Sequence, residues 1–132
     1  MARKIAKVEI IDRGERKKFL ITEMSATEAE NWALELFFAM ANTGVEIPDD
    51  LAEMGFAGLA QIGLSALGKI PFEKAKPLMD RMMECVQFIP DPDNEMVVRF
   101  LLESDIEEVT TRLKLRKEVW NLHTGFLRPA ST

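Results

Sequence analysis

The stretch Met24–Gly44 constrains this chain most, because it specifies a helix together with both of its ends. Ser25 followed three residues later by Glu28 is a capping box, in which hydroxyl and carboxylate each satisfy a backbone N–H of the first turn. Glu28 and Glu30 also place negative charge at the positive end of the helix dipole. Gly44 stands where a left-handed C-terminal cap is expected, so a helix of about four to five turns is predicted. Trp32, Leu36 and Met40 recur every fourth residue with Ala29 and Ala33 beside them, and Ala33, Phe37 and Ala41 form an adjacent row. Leu34 and Phe38 widen the stripe further. A helix this broadly apolar needs cover on more than one side, from its own domain or from a partner subunit.

On the N-terminal side, Ile5, Val8, Ile10 and Ile11 are interleaved with Lys7 and Glu9. Arg13-Gly14-Glu15 supplies a turn, and Phe19-Leu20-Ile21-Thr22 reads as a returning strand. This predicts a β-hairpin over about 4–23, with Lys17 and Lys18 facing solvent or protecting an edge. Two strands alone are marginal in water, so the hairpin must lie on helices or join a larger sheet.

On the C-terminal side, Val45–Asp50 reads as a loop. Leu51–Gly68 is rich in Ala, Leu and Met but interrupted by Gly55, Gly58, Gly63 and Gly68. It fits either closely packed helix faces or a short frayed helix. Pro71 suits the first turn of a helix reaching about Val86, and Pro77 either kinks it or moves its start to about Lys76. Phe88–Asn94 is a turn or linker, and Met96–Leu102 is a short third strand or the lead-in to the last helix. Ser104 with Glu107 is a second capping box, opening a helix to about His123 with Gly125 as its stop. Two apolar lines mark that helix: Ile106, Val109, Leu113 and Trp120, then Leu115, Val119, Leu122 and Phe126. The expected fold is mainly α: one domain over 1–127, a compact bundle of about four helices with an N-terminal hairpin, then a flexible tail at 128–132.

The chemistry-bearing residues are sparse. There is one His and one Cys, far apart in sequence, so no catalytic pair, metal site or cofactor site is expected. Cys85 falls on an apolar stripe and reads as buried, and a single thiol fits a reducing, cytosolic setting without intramolecular disulfides. The carboxylate pairs Asp49-Asp50, Asp91/Asp93 and Glu107-Glu108 read as caps, turns and helix-start charge. A net charge of −5 argues against general nucleic-acid binding, which depends on neutralising phosphates. One basic run remains, Arg112, Lys114, Arg116 and Lys117. It is either a solvated surface ion-paired with Glu108 or a docking patch for an acidic partner. Eight Met residues against no Tyr fit gap-filling in a core or an adaptable binding surface.

The segments Met24–Leu34 and Gly44–Pro48, with Lys76-Pro77-Leu78-Met79-Asp80 and Asp105–Val109 running on to Phe126, resemble the tail assembly chaperones of long-tailed bacteriophages. The likeness spans residues of about 5–127. It implies a non-enzymatic assembly factor in the host cytoplasm, absent from the mature virion, that keeps the tape-measure protein soluble while the tail tube polymerises around it. It also implies homo-oligomers, and a longer frameshifted product, continuing after Arg128–Thr132, that recruits tail-tube protein. The family carries over no catalytic residues. Client binding is expected to use apolar surface at Phe37, Phe38, Met54, Phe56, Met79 and Met83, with Arg112 and Arg116 as charged contacts. The competing readings are a small helical regulatory or nucleic-acid-associated protein using 112–117, and a structural adaptor of the virion.

Overall fold

Alternation of apolar and charged residues produces the hairpin, and a third strand keeps it from standing alone. The computed structural model describes residues 3–42 and 68–124. The chain divides into two compact units, Met1–Glu23 with Met82–Leu122, and Met24–Arg81 with His123–Thr132.

In the first unit, β1 (Ile5–Asp12) and β2 (Glu15–Thr22) are joined by the two-residue loop Arg13-Gly14. Both loop residues have positive φ, 47° and 82°, as the tightest hairpin turn requires, and glycine adopts that geometry without steric cost. β2 then pairs with β3 (Val86–Ile89), and β3 with β4 (Arg99–Phe100). The result is an antiparallel sheet in the order β1-β2-β3-β4. One face carries Ile10, Phe19, Ile21, Val86 and Phe88, all buried, and the Phe19 and Phe88 rings meet at 5.4 Å between centroids. The other carries Ile5, Lys7, Glu9 and Ile11, with Leu20, Gln87 and Phe100 in register beyond them. Helix α3 (Val109–Thr124) buries Leu115, Val119 and Trp120.

In the second unit, α1 (Ala26–Asn42) begins as its capping box dictates. Ser25 Oγ accepts the Glu28 N–H at 3.2 Å, and Glu28 accepts the Ser25 N–H at 3.4 Å. Trp32, Ala33, Leu36 and Met40 are buried, whereas Leu34 and Phe38 are exposed, so the covered stripe is narrower than the apolar pattern suggested. The Trp32 indole donates to the Leu78 carbonyl at 2.9 Å, joining α1 to α2 (Phe72–Met83). Pro71 supplies the carbonyl that accepts from Lys74 and Ala75. Pro77 lies inside α2, which continues through it. Its ring removes one backbone donor and crowds the Glu73 carbonyl one turn earlier. His123 is buried, its Nε2 accepting the Met24 N–H at 2.8 Å.

The expected bundle of about four helices is incorrect. The described residues hold three α-helices and a four-stranded sheet. Val86 reads from sequence as a helix end and Phe88-Ile89 as the start of a turn, but a turn at Glu84-Cys85 stops α2, and the β-branched and aromatic run Val86–Ile89 pairs with β2. The hairpin was correctly placed, but β2 became a central strand, so Lys17 and Lys18 are partly buried rather than free on an edge. The last helix starts at Val109, several residues beyond its predicted cap. Ser104 instead lies in a short 3-10 turn, Glu103–Asp105. The expectations for Gly44–Asp50, for the Gly-interrupted stretch up to residue 67, for the stop at Gly125 and for the tail at 128–132 lie outside the described residues.

Candidate functional site

In the first unit, a set of polar side chains is bonded internally beside a run of exposed apolar ones. Asp12 ends β1 on its buried face with no exposure at all. Its carboxylate accepts from Lys17 Nζ at 2.7 Å, the Thr111 hydroxyl at 2.7 Å, and the backbone N–H groups of Glu107 and Glu108 at 2.9 and 3.0 Å. Burial pushes the Asp12 pKa up; Lys17, Thr111 and the two N–H groups more than offset this, leaving the carboxyl well below the usual range. Lys17 Nζ also donates to the Asp105 carbonyl at 2.8 Å. The Asp105 side chain takes a two-pronged contact from Arg99, both bonds at 2.8 Å, and accepts the Leu102 N–H at 2.7 Å. Arg99 holds the Asp105 carboxyl below its ordinary pKa, and Asp105 in turn raises that of Arg99. The guanidinium lies 4.9 Å from the centre of the Phe88 ring, a cation–π contact.

The segment preceding β4 is fastened in the same way. Asp91 accepts the Asp93 N–H at 3.0 Å and Asn94 the Met96 N–H at 3.3 Å, each a side-chain-closed turn. Glu95 bridges Lys7 and Lys18 at 3.0 and 2.6 Å, and these two ammonium groups push its pKa down to about 2. Between these anchors Met96 is 92% exposed and Phe100 84%, with Val97, Val98 and Leu102 also exposed. Strand β4 has no strand on its far side among the described residues. Single exposed hydrophobes are ordinary, but a run of them on an anchored sheet edge is the kind of surface that takes a partner chain.

The residues singled out from sequence are dispersed. Phe37 and Phe38 sit on α1 in edge-to-face contact at 5.5 Å, the first half-buried and the second 59% exposed. Met79 is half-buried on α2 and Met83 is buried at its end. Met54 and Phe56 lie outside the described residues. Arg112 is exposed and Arg116 half-buried on α3. Lys114 and Lys117 fall nearly opposite them around the helix, beside Val8–Ile11 of β1, where they line a groove of about 480 Å³ with Glu118 and Asn121. The basic run therefore does not form one continuous patch.

Sequence reasoning missed the 96–102 strip as a surface and Asp12 as an anchor. The apolar content of Met96–Leu102 was visible, but its exposure was not. For Asp12 the available signal was a carboxylate on the inward phase of an alternating strand. Among the described residues no group of three or more His, Cys, Asp or Glu is placed to hold a metal ion. No helix among them is long and apolar enough to cross a membrane. Comparison with protein-family models, curated proteins and solved structures finds no match to this chain.

Proposed function

We propose that this chain is a non-enzymatic binding protein that covers apolar surface on other polypeptides, acting as a phage tail assembly chaperone. Its client would be the tape-measure protein, held in the host cytoplasm while the tube grows, with the chaperone itself left out of the finished virion. Tail-tube protein would be engaged through a longer frameshifted form, and the chain would act as a homo-oligomer. The observation that carries the binding reading is the strip from Met96 to Leu102. Its apolar side chains are exposed beside the two-residue edge strand Arg99–Phe100, while Glu95, Arg99 and Asp105 are held in internal bonds. An extended or helical apolar client segment can seat on such an edge without ordering the surface first, so less entropy is lost on binding. The split of the basic run across α3 gives the nucleic-acid reading little support, since phosphate binding gains from clustered charge.

The test is co-elution of the chain with an apolar tape-measure fragment, followed by light scattering. Met96→Asp with Phe100→Asp should weaken the complex at least tenfold, leaving the circular dichroism spectrum unchanged, because both side chains are already in water. A wild-type chain that captures no fragment, or a double variant that binds as well as wild type, refutes the proposal.

A further inference from the structure

The opposite edge of the sheet is β1, which among the described residues pairs on one side only, with β2. In a two-residue hairpin the closing pair, here Asp12 and Glu15, is hydrogen-bonded, and bonded pairs then alternate along the ladder. Asp12, Ile10, Val8 and Ala6 therefore direct their backbone groups toward β2. The bond from Glu23 N–H to the Lys4 carbonyl at 3.0 Å continues this phase. Ile5, Lys7, Glu9 and Ile11 direct both N–H and C=O away from the sheet, and none of these groups has a partner among the described residues. Ile5 and Ile11 are exposed, and the groove between Val8–Ile11 and α3 leaves the helix side of this edge open. Charged residues normally guard such an edge against pairing. Here the two that would do so, Lys7 and Glu9, have opposite signs and adjacent places on the free phase.

We propose that a second copy of this chain adds its β1 antiparallel to the first, on a two-fold axis at Val8. In that register Lys7 lies opposite Glu9 of the other copy and Glu9 opposite its Lys7, while Ile5 lies opposite Ile11 at both ends. On the other face Val8 meets Val8, and Ala6 meets Ile10. All outward-directed backbone groups then fall in hydrogen-bonded pairs, and the two sheets become one. Shifting by two residues either way sets Lys7 against Lys7 or Glu9 against Glu9, so charge selects this register. The interface is isologous, so it closes at two copies. It gives the self-association in the assembly reading a surface, and it rests on that reading only for its purpose. The experiment below contains no client, so its failure leaves the client test standing.

Light scattering after size exclusion, across a dilution series of the whole chain, should give twice the 15.0 kDa chain mass. Lys7→Glu alone, or Glu9→Lys alone, sets two like-charge pairs across the axis and should weaken the dimer about tenfold. The double variant Lys7→Glu with Glu9→Lys should return to within about twofold of wild type. Glu95 and Arg16, the intramolecular partners of Lys7 and Glu9, are not restored by the double reversal, so recovery reads the contact between copies. Glu9→Pro removes a donor only from the outer edge and should give a folded monomer. A wild-type chain that stays monomeric on concentration overturns the proposal, leaving the edge to a strand of another protein. So does a dimer unchanged by both single reversals or by Glu9→Pro.

Discussion

Helices α1 and α3 begin in opposite ways. α1 is started by its own sequence: Ser25, half-buried, and Glu28, exposed, lie three residues apart and satisfy each other's backbone groups. The approach to α3 is held by Asp12, from the end of β1, through Glu107, Glu108 and Thr111. The neighbouring Arg13 adds its own N–H to the Glu108 carboxylate at 3.2 Å and its guanidinium to the Glu107 carbonyl at 3.2 Å. α3 has no acidic residue in its first turn, whereas α1 has Glu28. A distant carboxylate thus supplies what the local sequence omits, and it does so from a fully buried position. A local cap fixes where a helix starts; the distant one fixes the start and also ties the hairpin turn to the helix.

The largest effect that separates the two is expected at Asp12. Asp12→Ala strands the Lys17 ammonium, whose side chain is only 12% exposed, and leaves two N–H groups and a hydroxyl without their acceptor. Breaking a buried ion pair from one side costs about 3–5 kcal/mol, a large share of the stability of a chain this size. Urea unfolding of wild type and variant is the measurement. A loss under about 1 kcal/mol would mean that water reaches the site and that the two caps do not differ in kind.

Acid sharpens the same contrast with a smaller expected change. Asp12 and Asp105 titrate below their ordinary values in the folded chain. The stability they confer is therefore complete above the unfolded carboxyl pKa, near 3.9, and is lost as pH falls below it. Glu95, at about 2, follows the same direction. For one buried carboxyl the loss approaches about 1.4 kcal/mol per pH unit below that point. The stability gap between wild type and Asp12→Asn should therefore narrow steadily from pH 4 to pH 2.5. A gap that stays constant over that range would show that the Asp12 charge contributes nothing and that only its shape matters.

These two caps also mark how far the sequence could be read. Ser25/Glu28 was legible because partner and helix lie within one turn, and the hairpin because Arg13-Gly14 and the alternation around it are local. Ser104/Glu107 has the same pattern and was misleading. Asp12 and Arg13 take hold of residues 107 and 108, so a tertiary contact displaced a local preference. Val86–Ile89 was ambiguous between helix end and strand until β2 offered a partner, which no window of the sequence shows. The 96–102 strip had the composition of a core strand, and only the sheet order reveals that one side of it faces solvent. Signals that close within a turn survived where no tertiary contact competed for the same groups; those that depend on which strand lies alongside did not.

The smallest effect is expected at the local cap, and its shape matters more than its size. Ser25→Ala removes one acceptor from an exposed first turn, a change worth about 1 kcal/mol. Water can replace the lost hydroxyl, and the group removed does not titrate, so the cost should hardly vary between pH 7 and pH 5. Ser25→Asp should keep the cap, because its carboxylate can accept the same Glu28 N–H. Hydrogen exchange gives the clearer distinction. Ser25→Ala should speed the Glu28 amide while leaving the interior of α1 protected, since Trp32, Leu36 and Met40 stay buried. Asp12→Ala should raise exchange in the hairpin turn and in the first turns of α3 together, because one carboxylate serves both. If Ser25→Ala loosened residues of the hairpin as well, the start of α1 would not be local, and the contrast between the two helices would fail at its simpler end.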